Sequence, residues 1–501
     1  MLDRSACYNA LLARDVRFDG RFFTAVKSTG IYCRPVCPAR PPKLDNCIFL
    51  PSAAAAQAAG FRSCLRCRPE SSPNTGAWHG TYATVSRALS LIEGGALDDG
   101  NAESLSARLG VGERHLRRLF LRHIGASPAS VAHTRRILFA KQLITETGLP
   151  MTEIALASGF GSVRRFNETF QQLFGRPPSM LRKKSSTQNA AANSSITLSL
   201  SYRAPYDWES VLNFLSARAI PGIEAIHNGA YRRTISLDGH AGWVEVKNDV
   251  KQCALRATVA LPGFKLLPIV IARLRRMFDL AADPMAIGAV LSGDPLLAPL
   301  VSARPGLRVP GAWDGFEVAV RAVLGQQITV SAATRLAGKL AATFGSEMSD
   351  AEAPAGLTHL FPAAEQLLNQ DIAQIGMPRA RGATISNLAA GNIADPQLFD
   401  PHQCLEEAIS SLCSLPGIGE WTAQYIAMRC LRESDAFPAG DVALMRALSV
   451  NDAPRIRAAM MLARAEAWRP WRAYAALHLW TSDAASIPVK TKKDMAHAFA
   501  D

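Results

Sequence analysis

The distribution of apolar and polar positions divides the chain into segments of different period. Turn residues cluster at Ser71-Ser72-Pro73-Asn74-Thr75-Gly76, and beyond them apolar residues recur every three to four positions, as on one face of a helix. Within that stretch Leu105 and Leu109 precede a turn at Gly110, and Ile154 and Ala155 precede a turn at Gly159-Phe160-Gly161. Each turn is followed by a second amphipathic run, so two helix-turn-helix units are expected about 47 residues apart. The segment Ser185 to Ser195 is small and polar, can bury nothing, and reads as a linker. Alternating positions over Ile196 to Tyr202 and Tyr231 to Leu261 predict strands, whereas from Gly315 onward the period returns to that of helices, with breaks at Gly376, Pro378 and Pro416-Gly417.

The expected organisation is a multidomain chain. A small α+β domain spans 1–75, an all-α tandem helix-turn-helix domain 76–184 and the linker 185–195; a small α+β antiparallel-sheet domain over 196–303 then precedes an all-α domain over 304–490. A length of 501 residues agrees with several separate cores.

Charge adds direction to this plan. The net charge is +13, and residues 1 to 184 carry 26 Lys and Arg against 13 Asp and Glu, while the remainder carries 29 of each sign. A one-sided basic excess is the footprint of a polyanion, and no lipidation signal or basic amphipathic membrane helix accompanies it, so nucleic acid is the expected partner. The first residues contain no apolar signal core, and no apolar stretch reaches the roughly 18 residues that span a bilayer. A cytoplasmic location and no membrane partner are therefore expected. In that reducing setting, clustered cysteines favour metal over disulfides.

Cys33 and Cys37 form a C-x3-C pair, Cys64 and Cys67 a C-x2-C pair, and 26 residues separate them. Four thiolates so spaced suit one tetrahedral zinc ion, which can serve the fold alone or activate a nucleophile. Arg34, Arg40, Lys43, Arg62, Arg66 and Arg68 surround them in sequence, as expected of a site that faces phosphates. The runs Arg14-Asp15-Val16-Arg17-Phe18-Asp19-Gly20, Thr29-Gly30-Ile31-Tyr32-Cys33-Arg34-Pro35 and Ala59-Gly60-Phe61-Arg62-Ser63-Cys64-Leu65-Arg66-Cys67 resemble the Ada-type methyl-acceptor domain. That resemblance implies that Cys33 is both zinc ligand and acceptor of a methyl group from a DNA methylphosphotriester, with Cys37, Cys64 and Cys67 as the metal frame. Methylation would take the four-thiolate site from −2 to −1 and weaken its repulsion of the DNA backbone. Cys7 and Cys47 lie outside the pattern and read as small buried hydrophobes.

The second helices of the two helix-turn-helix units display Arg114, Arg117 and Arg118, and Arg164 and Arg165, which are candidates for major-groove or phosphate contact. The ending Phe170-Gln171-Gln172-Leu173-Phe174-Gly175-Arg176-Pro177-Pro178 resembles the C-terminal signature of AraC/XylS-type regulators. The resemblance implies promoter DNA and RNA polymerase as partners in a bacterial cell.

Ser414-Leu415-Pro416-Gly417-Ile418-Gly419-Glu420-Trp421 reads as a helix-hairpin-helix in which the turn around Gly417 and Gly419 offers backbone N–H groups to a DNA phosphate. The carboxylate in Phe437-Pro438-Ala439-Gly440-Asp441 follows about 20 residues later, and Gly325-Gln326-Gln327 lies upstream. This set resembles the helix-hairpin-helix DNA glycosylases. With Ala204-Pro205-Tyr206-Asp207-Trp208, Arg304-Pro305-Gly306-Leu307-Arg308, Gly376-Met377-Pro378 and Trp468-Arg469-Pro470-Trp471-Arg472, it resembles the AlkA-type 3-methyladenine DNA glycosylase II over about 198–485.

On that resemblance Asp441 is the catalytic carboxylate, and Phe214, Trp421, Tyr425 and Trp480 line a base pocket for a flipped cationic base. Trp421 stands where strand-cleaving relatives carry an amine-bearing lysine, so a monofunctional enzyme that leaves an abasic site is expected. Gln327 falls at the position that wedges into the DNA stack, and Val442 where a relative has an aromatic residue. Nothing after Cys430 is Cys, so no iron-sulfur cluster is expected. Asp441 also suits a helix N-cap. The competing reading is a regulator with a purely structural zinc site and a C-terminal half that binds DNA without catalysis.

Overall fold

The computed structural model describes residues 3–73, 81–98, 100–182, 195–348, 350, 353–400, 404–448 and 457–486. In the first unit the helix Arg4–Ala13 precedes a four-stranded sheet of β1 (Phe23–Val26), β2 (Ile31–Cys33), β3 (Cys47–Leu50) and β4 (Arg62–Ser63), in the order β3-β1-β2-β4. β1 pairs antiparallel with β2 and β3, while β4 runs parallel to β2, with Tyr32 opposite Ser63. That parallel pairing brings the end of β2, at Cys33, beside the start of the Cys64 loop. Phe23, Ala25, Tyr32 and Ala56 form its small core.

Six helices follow: Thr81–Glu93, Ala102–Arg108, Glu113–His123, Pro128–Glu146, Met151–Ala157 and Val163–Phe174. Both expected helix-turn-helix units are present, and Gly110 and Gly159 turn with positive φ of 64° and 76°. Leu116, Leu119 and Phe120 place one face of Glu113–His123 inward. In Val163–Phe174 the inward face is a stripe of Phe166, Phe170 and Phe174 at four-residue spacing, with successive ring centroids 4.9 and 5.3 Å apart.

Of the segment read as a linker, residues 185–194 lie outside the described residues, and Ser195 opens β5 (Ser195–Ser201). A second, wholly antiparallel sheet contains β5, β6 (Glu224–His227), β7 (Ala230–Leu237), β8 (His240–Asp249) and β9 (Ala254–Ala260), in the order β5-β9-β8-β7-β6. Its inner face shares one continuous apolar core with the second helix-turn-helix unit, joining Phe166 and Phe170 to Leu200, Val244 and Phe278. The helices after the sheet surround a separate large core that includes Leu291, Val323, Leu388, Leu412 and Trp468.

The helix Pro128–Glu146 binds the units together. Its Lys141 Nζ lies 2.8 Å from a Glu70 carboxylate oxygen and donates to the Cys64 carbonyl at 2.8 Å. One turn later, Glu146 accepts from Arg68 at 2.6 Å and from the Ser199 backbone N–H of β5 at 2.9 Å, while Gln142 donates to the Ser199 carbonyl at 2.8 Å. Ser199 lies on an edge strand, whose free backbone groups otherwise invite pairing with another chain. Three further ion pairs, Arg87–Glu433, Arg108–Asp400 and Arg21–Asp283, fasten the basic third to the C-terminal half.

Candidate functional site

The first site is the four-thiol centre. The Sγ atoms of Cys33, Cys37, Cys64 and Cys67 all lie within 4.8 Å of one another. Backbone N–H groups of Arg34 and Arg66 donate to the sulfurs of Cys67 and Cys64 at 3.4 and 3.3 Å, as suits thiolates. Mutual hydrogen bonding pushes the Cys33 thiol up and the Cys64 thiol down. An all-sulfur donor set of this size fits one Zn2+. Cys37, Cys64 and Cys67 are 5–6% exposed, and Cys33, at the end of β2, is the least buried of the four.

The basic surround separates into two classes. Arg34, expected to face phosphates, instead pairs with Asp19 and donates to the Cys67 carbonyl at 3.1 Å and to Ser71 Oγ at 2.8 Å. Arg68 is committed to Glu70, Thr145 and Glu146. Both arginines therefore brace the zinc loop, whereas Arg40, Lys43 and Arg66 are exposed beside it. On the helix-turn-helix units, Arg114, Arg117, Arg118, Arg164 and Arg165 are all exposed on the second helices, opposite the buried stripes.

The second site is built around Asp441, at the start of the helix Val442–Leu448. Its Oδ1 accepts from the Ala443 and Leu444 N–H groups at 2.9 and 3.0 Å, the expected N-cap, and also from Trp480 Nε1 at 3.0 Å. Oδ2 accepts from Trp421 Nε1 at 2.9 Å. Four donors thus hold the carboxylate in place, with three of them on Oδ1 and one, among the described residues, on Oδ2. Tyr425 stacks on Trp421 with centroids 5.4 Å apart and planes 9° apart, and lies 6.5 Å from Trp480. Phe214 joins them through its neighbours: the Arg218 guanidinium lies 3.8 Å and the Arg429 guanidinium 4.8 Å from its ring centroid.

Sequence reasoning assigned the two indoles to base stacking and missed that each also holds the carboxylate. Arg218 and Arg429 were missed as well. The signal for Arg429 was its spacing, four residues after Tyr425 along one helical run, whereas Arg218, four after Phe214, lies in the turn beyond the helix Trp208–Ser216.

A hairpin supports this site. Gly417 lies between the helices Leu405–Cys413 and Glu420–Ile426 with φ of 87°, and a Cβ there would stand 2.1 Å from Thr384 Oγ1, so only glycine fits. Gly419 faces open space, free for a phosphate to approach. Gln326 Nε2 reaches the Gly417 carbonyl and Thr422 Oγ1 at 3.1 and 3.2 Å, and Arg381 donates to the Gln326 carbonyl at 2.7 Å. The adjacent Gln327, with φ of 58°, is thereby presented to solvent beside Ile328. Val442 is exposed at 51%. No helix among the described residues is long and apolar enough to cross a membrane.

Three family models match parts of the chain. Residues 6–70 match the metal binding domain of Ada, residues 105–184 a helix-turn-helix domain, and residues 197–314 the AlkA N-terminal domain. The chain is 42% identical over 484 residues to a probable bifunctional transcriptional activator/DNA repair enzyme AlkA of Mycobacterium tuberculosis, covering 96% of each chain. It is 31% identical over 287 residues to DNA-3-methyladenine glycosylase 2 of Escherichia coli, covering 57% of this chain and 96% of the relative. The fold of that half is similar to the 3-methyladenine DNA glycosylase from Archaeoglobus fulgidus, with a TM-score of 0.50, 24% identity, and coverage of 58% of this chain and 99% of the other.

Proposed function

The chain belongs to the family of bifunctional transcriptional activator/DNA repair enzymes that join an Ada-type metal-binding unit to an AlkA-type glycosylase, and from that premise we propose how each half acts on alkylated DNA. The observation that carries the enzymatic reading is the Asp441 carboxylate held by the Trp421 and Trp480 indoles beside the Tyr425 ring.

Excision of an alkylated base such as 3-methyladenine starts from a cationic leaving group, so little acid assistance is needed. As the N-glycosidic bond breaks, positive charge builds on the sugar, and the Asp441 carboxylate stabilises it and orients the water that adds to the anomeric carbon. The base leaves neutral, and the water's second proton passes to solvent. Trp421 carries no amine, so no Schiff base forms and the product is an abasic site. Phe214, Trp421, Tyr425 and Trp480 are the proposed base pocket. Gln327 is the proposed wedge, and Gly417 and Gly419 the proposed phosphate-binding turn.

At the other end, Cys33, Cys37, Cys64 and Cys67 would hold one Zn2+, which would keep their thiols ionised at neutral pH. Cys33, the least buried, attacks the methyl carbon of a DNA methylphosphotriester. A sulfur–carbon bond forms, the carbon–oxygen bond breaks, and the phosphate departs as an ordinary diester anion. The resulting thioether is stable, so each molecule reacts once. Exposed Arg40, Lys43 and Arg66 support contact with the backbone, and Arg114, Arg117, Arg118, Arg164 and Arg165 serve promoter DNA in recruiting RNA polymerase, in the cytoplasm. The proposed units span 1–75, 76–184, 196–303 and 304–490. Methylated DNA should give one added methyl on the Cys33 peptide by mass spectrometry, and alkylated DNA should give free base; a methyl on another cysteine only, or no released base, would refute the corresponding half.

A further inference from the structure

Tyr425 differs from the other enclosed tyrosines in the charges that meet its hydroxyl. Arg429 donates from Nη1 to the Tyr425 hydroxyl at 2.6 Å, and its remaining nitrogens are fixed on the Pro310 and Gly311 carbonyls at 2.6 and 3.0 Å. It sits in a π-helical segment, Ala427–Leu431, with its guanidinium 5.5 Å from the Tyr425 ring centroid. The charge of Arg218, in the turn after the helix Trp208–Ser216, also acts on the hydroxyl. Burial pushes the phenol up, but the charges of Arg429 and Arg218, the hydrogen bond from Arg429 and the charge of Arg321 together bring it down to about 8. Tyr206 and Tyr474, equally enclosed without such neighbours on the hydroxyl, are pushed up by burial.

The charges around the ring can be followed element by element. Arg321, on the helix Gly315–Leu324, and Arg233, on β7, are balanced by Glu224 and Glu317, to which they are paired. His478, on the helix that carries Trp480, is pushed down to about 4 by burial and is neutral above that. There remain two guanidiniums, of Arg218 and Arg429, against the single carboxylate of Asp441. With a neutral phenol the site is net positive and opposes a cationic base; with a phenolate it is balanced, and the ring that stacks on Trp421 is itself anionic.

Resting on the glycosylase reading above, we infer that Tyr425 is the charge-setting specificity residue of the base pocket: Arg429 and Arg218 stabilise its phenolate, which selects cationic alkylated bases over neutral ones. A phenolate face attracts a stacked cation more strongly than a phenol face does, whereas a neutral base gains little from the change.

Two measurements on the full-length protein test this. In the first, tyrosinate absorbance of the wild type minus that of Tyr425→Phe is followed from pH 6.5 to 9.5, and one tyrosine titrating near pH 8 is expected. This readout needs no catalysis, so it stands or falls apart from the glycosylase reading. In the second, single-turnover release of 3-methyladenine and of 1,N6-ethenoadenine, a neutral base, is compared over the same range. The wild-type preference for the cationic base should rise about tenfold through pH 8, and in Tyr425→Phe it should stay flat at the low-pH level, with Arg429→Gln moving the inflection upward. The inference is overturned if the difference absorbance shows no tyrosine titrating below pH 9.5, or if wild type and Tyr425→Phe show parallel preference profiles.

Discussion

Lys141 and Glu70 form an ion pair of 2.8 Å in which each side chain is only 1% exposed. The same ammonium donates to the carbonyl of Cys64, one of the four thiol residues. The helix between the two helix-turn-helix units is therefore anchored directly to the metal loop. Removing one partner of a buried pair leaves an uncompensated charge, whereas replacing both removes the desolvation cost as well. Lys141→Met should lower unfolding stability by about 3 kcal/mol, and the double variant Lys141→Met/Glu70→Gln should recover most of that loss. Urea unfolding of the wild type and the two variants checks the order.

Asp441→Asn keeps an oxygen for the Ala443 and Leu444 N–H groups, so the helix cap survives. Its amide nitrogen then faces an indole donor. Base release should fall by at least ~10²-fold, as when a single electrostatic stabiliser is lost, with an unchanged melting temperature and altered tryptophan fluorescence.

Trp421→Phe separates stacking from carboxylate holding. A ring remains to stack on Tyr425, but the donor to Oδ2 is lost. A hydrogen bond to a charged group contributes about 1.5–3 kcal/mol, so kcat/KM should fall by roughly 10- to 100-fold while abasic-DNA affinity changes little. Single-turnover kinetics and titration of abasic DNA give the two numbers.

Metal retention should depend on pH with a definite sign. Thiols bind metal only when ionised, and an ordinary cysteine loses its proton near about pH 8.5, so acid competes with the cation. Lowering the pH from neutral should release one zinc per chain, measured with a chromogenic chelator. Cys37→Ser should release it at higher pH than the wild type.

Replacing Arg114, Arg117 and Arg118 together with Ala removes three exposed cations without touching the buried Leu116, Leu119 and Phe120. Stability should stay within about 0.5 kcal/mol, while each lost phosphate contact reduces the slope of log affinity against log salt by about 1. Affinity measured across a salt series tests this.

Much of the architecture was legible wherever a feature depends on local spacing. The paired cysteines, the leucines before Gly110, the hairpin glycines and the carboxylate at Asp441 all fall within short windows that fix their geometry. Arg34 was misread because its partner, Asp19, reaches it only through the fold of the first unit. The union of the second helix-turn-helix unit with the five-stranded sheet was likewise hidden, since Phe166 and Val244 join one core only when separately patterned faces pack. Tyr425 and Arg429 were within reach of helical spacing, yet the coupling also needs Arg218, more than 200 residues upstream.

The Glu146 and Gln142 contacts with Ser199 bear on how portable the two halves are. A glycosylase half expressed alone would expose the Ser199 amide and carbonyl at the rim of β5, together with apolar surface that the helix Pro128–Glu146 covers in the whole chain. Such a fragment would carry an unguarded strand edge, prone to self-association. The metal-binding and helix-turn-helix units are thus joined to the glycosylase half in structure as well as in sequence, and dividing them would require new polar residues along that rim.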